Sequence, residues 1–246
     1  MTRRTTQVLE LDTPLGPARC YVDPAVAPAD ASADQAGSGG SGREGAVRTQ
    51  ATLMLGHGAG GGVEAADLDL LSRGLPGLGV TVVRFEQPWR TAGRRVAVPP
   101  PQLDVGWRAG VDWLLGSSWS SPRLFFGGRS AGARVACRTA DAYGVAGVVC
   151  LAFPLHLPGR PEKSRLPELL QPRAPRLVLQ GSSDSFGGAA ELAAALLGST
   201  EPHAAVRLVE LPGADHSFRV AKGASFSPAE LRARVLSEVA GFVAVT

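Results

Sequence analysis

Residues 123–136 read Arg-Leu-Phe-Phe-Gly-Gly-Arg-Ser-Ala-Gly-Ala-Arg-Val-Ala: an apolar strand, a glycine-rich turn and the start of a helix. At the turn stands Gly128-Arg129-Ser130-Ala131-Gly132. A serine hydroxyl is a poor nucleophile until a sharp turn exposes it to a neighbouring base. The flanking glycines allow both the turn and a close approach of helix to strand. The same turn puts Ser130 at the positive end of a helix, where a developing oxyanion is favoured.

The surrounding sequence supplies a sheet for such a turn. Strands are predicted at 51–55, 80–85, 123–126, 145–152, 176–180 and 206–211, and helices at 65–75, 103–115, 131–143, 189–197 and 228–243. Strands alternating with helices argue for a parallel sheet covered on both faces, with ligands at the carboxyl ends of the strands. Ahead of this, 8–11 and 18–22 flank Thr13-Pro14-Leu15-Gly16-Pro17 and read as a hairpin. Residues 24–45 are rich in Ala, Asp, Ser and Gly and read as a flexible surface insertion within a single domain spanning the whole chain.

Three further motifs follow predicted strands. His57-Gly58-Ala59-Gly60-Gly61-Gly62 has the form of a loop that lends a backbone N–H to an oxyanion, assigned to Ala59 with Ala131 as the second donor. His57 precedes Ser130 in the chain, so it reads as a loop-orienting and substrate-contacting residue, with Gly58, rather than as a base. A phosphate-cradling reading of this loop lacks the lysine of such loops. Asp184, in Gln180-Gly-Ser-Ser-Asp-Ser-Phe-Gly, is placed to orient a histidine, and His216, in Gly213-Ala-Asp-His-Ser-Phe, to act as the base. The order Ser130, Asp184, His216 is that of the α/β-hydrolase fold, which is the fold expected. Arg129 and His156 are the remaining candidate substrate contacts, and 157–175, rich in proline and arginine, has the place of a small cap. Arg84, Arg94 and Arg95 read as solvated surface, although an arginine turned into the pocket would select acidic substrates.

Composition excludes other classes. The formal charge of +3 over 246 residues is carried by scattered arginines, with only Lys163 and Lys222 as lysines, so no nucleic-acid surface is expected. The three cysteines, Cys20, Cys137 and Cys150, form neither a disulfide framework nor a zinc pattern. No apolar run reaches the roughly 20 residues of a membrane helix, and no apolar stretch follows the charged first residues. The expectation is a cytoplasmic monomer or homodimer that takes a small-molecule substrate, with no membrane, no metal and no cofactor. A catalytically silent interaction module is the rival reading of the same fold.

The segments His57-Gly-Ala-Gly-Gly-Gly, Val83-Arg-Phe-Glu, Gly127-Gly-Arg-Ser-Ala-Gly, Phe153-Pro-Leu-His-Leu-Pro-Gly-Arg-Pro-Glu, Gln180-Gly-Ser-Ser-Asp-Ser-Phe-Gly and Gly213-Ala-Asp-His-Ser-Phe also resemble one group. It is the hydrolase-like family shared by testis-expressed protein 30 and the third subunit of the NSL chromatin complex, within the dienelactone-hydrolase-like branch. Ala131 departs from that pattern, which usually has Met after the serine. The resemblance, from about residue 53 to about 219, implies a compact hydrolase fold with an intact Ser130–Asp184–His216 triad, and no particular substrate.

Overall fold

The computed structural model describes residues 5–26, 51–199 and 205–246. Strands β1 (Gln7–Thr13) and β2 (Gly16–Asp23) form the predicted antiparallel hairpin. From β3 (Ala51–Gly56) onward come β4 (Val80–Glu86), β5 (Leu124–Arg129), β6 (Gly147–Leu151), β7 (Arg176–Gly181) and β8 (Val206–Leu211). Their order across the sheet is β1-β2-β4-β3-β5-β6-β7-β8. β2 pairs antiparallel with β4, and every pairing from β4 to β8 is parallel. The chain runs from β3 to β4 on one side, then crosses back to β5 on the other. That reversal opens a crevice beyond the carboxyl ends of β3 and β5, where ligands bind in sheets of this kind.

Seven helices flank the sheet among the described residues: α1 (Ala66–Gly74), α2 (Pro88–Thr91), α3 (Pro100–Leu115), α4 (Ala131–Tyr143), α5 (Leu166–Leu170), α6 (Ala189–Leu197) and α7 (Pro228–Val245). The central strands are buried along nearly their whole length because both faces are covered. Met54, Phe126, Val148, Cys150 and Val178 point to the side of α3, α4 and α6, against Trp107, Ala136 and Leu192. Their neighbours Leu53, Leu55, Phe125, Val149 and Leu177 point to α1 and α7, against Leu68, Leu71, Val235 and Val239. Each such side chain, fully buried, stabilises the fold by about 1.5–3 kcal/mol.

No helix among the described residues is long and apolar enough to cross a membrane. Cys137 and Cys150 are buried in the first core, as their apolar neighbours suggest, with the sulfurs 3.6 Å apart. α7 opens on a capping box, in which Ser227 accepts from Glu230 N–H and Glu230 accepts from Ser227 N–H, a device worth about 1 kcal/mol.

The structure departs from the sequence expectations at several points. α3 begins at Pro100, three residues early, because proline is tolerated in a first helical turn. The strand expected at 145–152 spans only Gly147–Leu151, and the short α2 was not expected. Arg84 is not solvated surface: it is buried, paired with Asp23 at 3.1 Å and donating to the Val63 carbonyl. Of the insertion expected at 24–45, residues from 27 onward lie outside the described residues. Before it, Ala25 N–H donates to Thr81 Oγ1 and Val26 N–H to the Pro76 carbonyl.

Candidate functional site

Ser130 occupies the bend between β5 and α4 with φ 52° and ψ −110°, a left-handed conformation that side-chain-bearing residues rarely adopt. The bend is held from several directions. Ser130 N–H donates to the Leu151 carbonyl on β6, and Arg134 N–H on the first turn of α4 donates to the Ser130 carbonyl. Gly132 sets the helix against β3 so closely that an added Cβ would lie 2.2 Å from the Gly56 oxygen. Only glycine fits there, and the contact fixes the elbow relative to the loop that follows β3.

Asp184 follows β7. Its carboxylate is buried and accepts from Phe186 N–H at 2.8 Å and from Gln180 Nε2 at 2.9 Å. Gln180 is itself tied to the Gly187 carbonyl at 2.7 Å. His216 follows β8. Its Nδ1 lies 2.8 and 3.0 Å from the two Asp184 oxygens, and its Nε2 lies 3.0 Å from Ser130 Oγ. A carboxylate against Nδ1 puts the ring proton there, leaving the Nε2 lone pair to face the serine hydroxyl. Phe186 stacks on the imidazole with centroids 4.2 Å apart, so the ring cannot swing away from this plane without losing the contact. The loop that carries His216 is shaped by Asp215, which accepts from Ser217 N–H and Arg219 N–H and does not contact the imidazole.

The loop after β3 passes beside the serine: a Cβ on Gly58 would be 3.6 Å from Ser130 Cβ. Ala59 N–H has no acceptor among the described residues, and Ala131 N–H sits at the first position of α4, where a helix offers none. Both alanines line a cleft of about 890 Å³ together with Gly58, Arg129, Ser130 and His216, within the size range of small-molecule sites.

Two of the expected contacts are not in this cleft. His57 is 4% exposed and points beneath the loop. Its Nε2 accepts from Gln87 N–H, so the ring proton is on Nδ1, which donates to the Gly58 carbonyl. Burial pushes its pKa down. It braces the loop as a neutral strut, with Trp89 beside it, as the loop-orienting reading expects, and it does not line the cleft. His156 is buried too, with its ring nitrogens facing the Leu157 carbonyl and Glu191. It ties the chain after β6 to α6 and does not line the cleft. Arg94 and Arg95 are exposed and, like Arg84, do not line the cleft.

Three participants escaped the sequence reading. Gln180 could have been suspected as a polar residue ending an apolar strand. Phe186 sits in a segment noted only for its pattern. Asp67, on α1, gave no signal: it is 6% exposed and pairs with Arg129 Nε at 3.0 Å. Burial pushes the Asp67 carboxyl up, and Arg129 pulls it part of the way back.

Comparison with known proteins places this arrangement. Residues 49–244 match the family described as alpha/beta hydrolase domain. Among solved structures, an alpha-beta serine hydrolase homologue from Coxiella burnetii superimposes with a TM-score of 0.68 at 19% identity, over 97% of this chain and 100% of that one. An α/β serine hydrolase without a lid from Xanthomonas campestris gives a TM-score of 0.67 at 22% identity, over 100% and 99% of the two chains. Est1E from Butyrivibrio proteoclasticus gives 0.67 at 13% identity, over 98% and 100%.

Proposed function

Since the chain belongs to the alpha/beta hydrolase domain family and has its fold, we propose that it is a serine hydrolase that cleaves an ester, thioester or amide carbonyl through an acyl-enzyme. The observation that carries this reading is the unbroken hydrogen-bond chain from Asp184 through His216 to Ser130. It runs at the carboxyl edge of the sheet, beside two backbone N–H groups with no acceptor of their own.

The geometry suits the following steps. His216 Nε2 takes the Ser130 proton as Oγ bonds to the carbonyl carbon, and the carbonyl π electrons move onto its oxygen. Ala59 and Ala131 N–H, with the N-terminus of α4 behind the latter, stabilise that oxyanion. The oxyanion collapses, the bond to the leaving group breaks, and His216 returns the proton to it. Water, deprotonated by His216, then attacks the acyl-serine, and acid and free Ser130 result. Asp184 keeps the ring in the working tautomer throughout and balances the imidazolium charge.

A fluorophosphonate probe tests this without knowledge of the substrate, since it phosphonylates only an activated serine. The protein should take the probe and turn over p-nitrophenyl acetate, and Ser130→Ala should do neither while keeping its circular dichroism spectrum. Turnover retained by Ser130→Ala would remove Ser130 as nucleophile. A folded wild type that neither reacts nor turns over would favour the interaction-module reading.

A further inference from the structure

Five arginines line the cleft, Arg129, Arg134, Arg165, Arg219 and Arg232, against one carboxylate, Asp67. Two of the five are paired with carboxylates. Arg129 pairs with Asp67. Arg134 makes a two-pronged contact with Glu168. Glu168 also takes Arg138, whose remaining nitrogens are spent on Asp104. In that cluster two guanidinium groups meet two carboxylates and nothing is left over.

Arg165 is the exception that is not simply on the surface. It is half-buried, while Arg219 and Arg232 are exposed. It makes no ion pair among the described residues. Its backbone is fixed, with N–H donating to the Leu155 carbonyl at 2.7 Å, and its Nη1 reaches only the Pro154 carbonyl at 3.4 Å. Burial, and then the neighbouring Arg134, push its pKa down, yet a guanidinium stays protonated in proteins. The charge is therefore held at a cost, in partly dry surroundings, facing the space where a substrate must lie. Apolar side chains supply much of the rest of the wall, including Leu70, Leu157, Phe186, Leu231 and Val235.

We infer that Arg165 binds a carboxylate on the substrate, so that the Ser130 site acts on esters or thioesters whose chain also carries a carboxylate. The inference rests on the hydrolase reading for its chemistry, but not for the anion site itself. One unbalanced, half-buried guanidinium matches one negative charge, and its planar fork matches a carboxylate in a two-bond contact. A phosphate monoester would bring nearly two charges to the one half-buried guanidinium without a partner. Arg219 and Arg232, screened by solvent at the mouth, would speed the arrival of an anion more than hold it.

The test compares two esters of equal chain length, mono-p-nitrophenyl adipate and p-nitrophenyl hexanoate, by the ratio of their kcat/KM values. Wild type should favour the adipate, and Arg165→Gln should lower the ratio at least tenfold, mainly through KM for the adipate. Arg165→Met, which keeps an unbranched side chain without the charge, is the second neutral variant should the glutamine fail to fold. A ratio that stays put in the folded neutral variant overturns the inference. A calorimetric titration of adipate into Ser130→Ala, with and without the Arg165 change, removes catalysis from the question. Binding that depends on Arg165 there, with neither ester turned over by wild type, would fault the hydrolase reading and leave the anion site standing. Binding of adipate indifferent to Arg165 would do the reverse. Inorganic phosphate at matched ionic strength should not displace adipate; displacement would overturn the choice of a carboxylate.

Discussion

Arg129 donates through its guanidinium to the backbone carbonyl of His216 while its Nε lies 3.0 Å from Asp67. The residue just before Ser130 thus ties the loop of His216 to helix α1. Removing it has two separable effects. Arg129→Met strands a buried carboxylate, which should cost about 3–5 kcal/mol in urea denaturation at pH 7. It also frees the His216 loop, and a displacement of the base near 1 Å is worth about a hundredfold in rate. Asp67→Asn on top of Arg129→Met should recover much of the stability and little of the turnover. The stability deficit of the single variant should also shrink in acid. A carboxyl whose folded pKa is raised favours folding when protonated, and that contribution is lost as pH rises through the folded pKa. A deficit equal at pH 5 and pH 7, or a double variant no more stable than the single one, would clear Asp67 of the effect.

The Asp184 carboxylate accepts on both oxygens, and Asn can reproduce only part of that pattern. With its amide nitrogen against Nδ1, Asp184→Asn would hold the proton on Nε2, where it blocks acceptance from Ser130. Turnover of p-nitrophenyl acetate should fall by about 10³–10⁴ with the circular dichroism spectrum unchanged. Some activity above that of Ser130→Ala should remain, because the nucleophile and the oxyanion donors are still present. A loss under tenfold would mean that Asp184 does not set the tautomer.

His57 gives the fold an acid limit. Its folded pKa is lowered by burial, so the unfolded chain binds a proton at a pH where the folded protein does not. Its contribution is complete above the unfolded value of about 6.5 and is lost as pH falls toward the folded one. The melting temperature should drop between pH 7 and pH 5, and less steeply in His57→Gln. Parallel curves for the two proteins would place the acid sensitivity elsewhere.

Gly132, in the first turn of α4, and Gly60, in the loop after β3, should differ sharply in their tolerance of alanine. Gly132→Ala would press Cβ into the backbone of Gly56, backbone on backbone with no side chain to yield, and should cost about 3 kcal/mol or more in denaturation midpoint experiments. A Cβ on Gly60 meets nothing within 4 Å, so Gly60→Ala should shift stability by under about 0.5 kcal/mol. Equal effects at the two positions would contradict the packing of α4 on β3.

Periodicity and turn chemistry made much of this architecture readable in advance. α4, α6 and β8 begin and end where the residue pattern puts them, because each is bounded by a strong local signal such as Ser130 or Gly198. The strand ends carrying Ser130, Asp184 and His216 were readable for the same reason, and a parallel sheet forces such ends to one edge. What could not be read is the direction of a side chain within a loop. His57 and His156 follow strands just as His216 does, yet turn inward to satisfy backbone and carboxylate acceptors. The arginines told the same story. Arg84 shares the run of its strand but closes on Asp23, far behind it in sequence. Arg165, within the segment expected to form a cap, faces the cleft. Pairings such as Arg129 with Asp67 join positions that no local pattern connects.

The separation of these positions along the chain also sets a schedule. Ser130 and His216 touch across 86 residues of sequence, so a ribosome delivers the hydroxyl long before the imidazole that can arm it. Asp184 arrives between them, and Leu231 and Val235, which wall the cleft, arrive last. Until β8 has docked beside β7, Ser130 has no imidazole beside it. On the proposed hydrolase reading, a partly made chain, still exposed to every metabolite and protein around it, carries no activated serine, and reactivity follows only once β8 and α7 have joined the sheet.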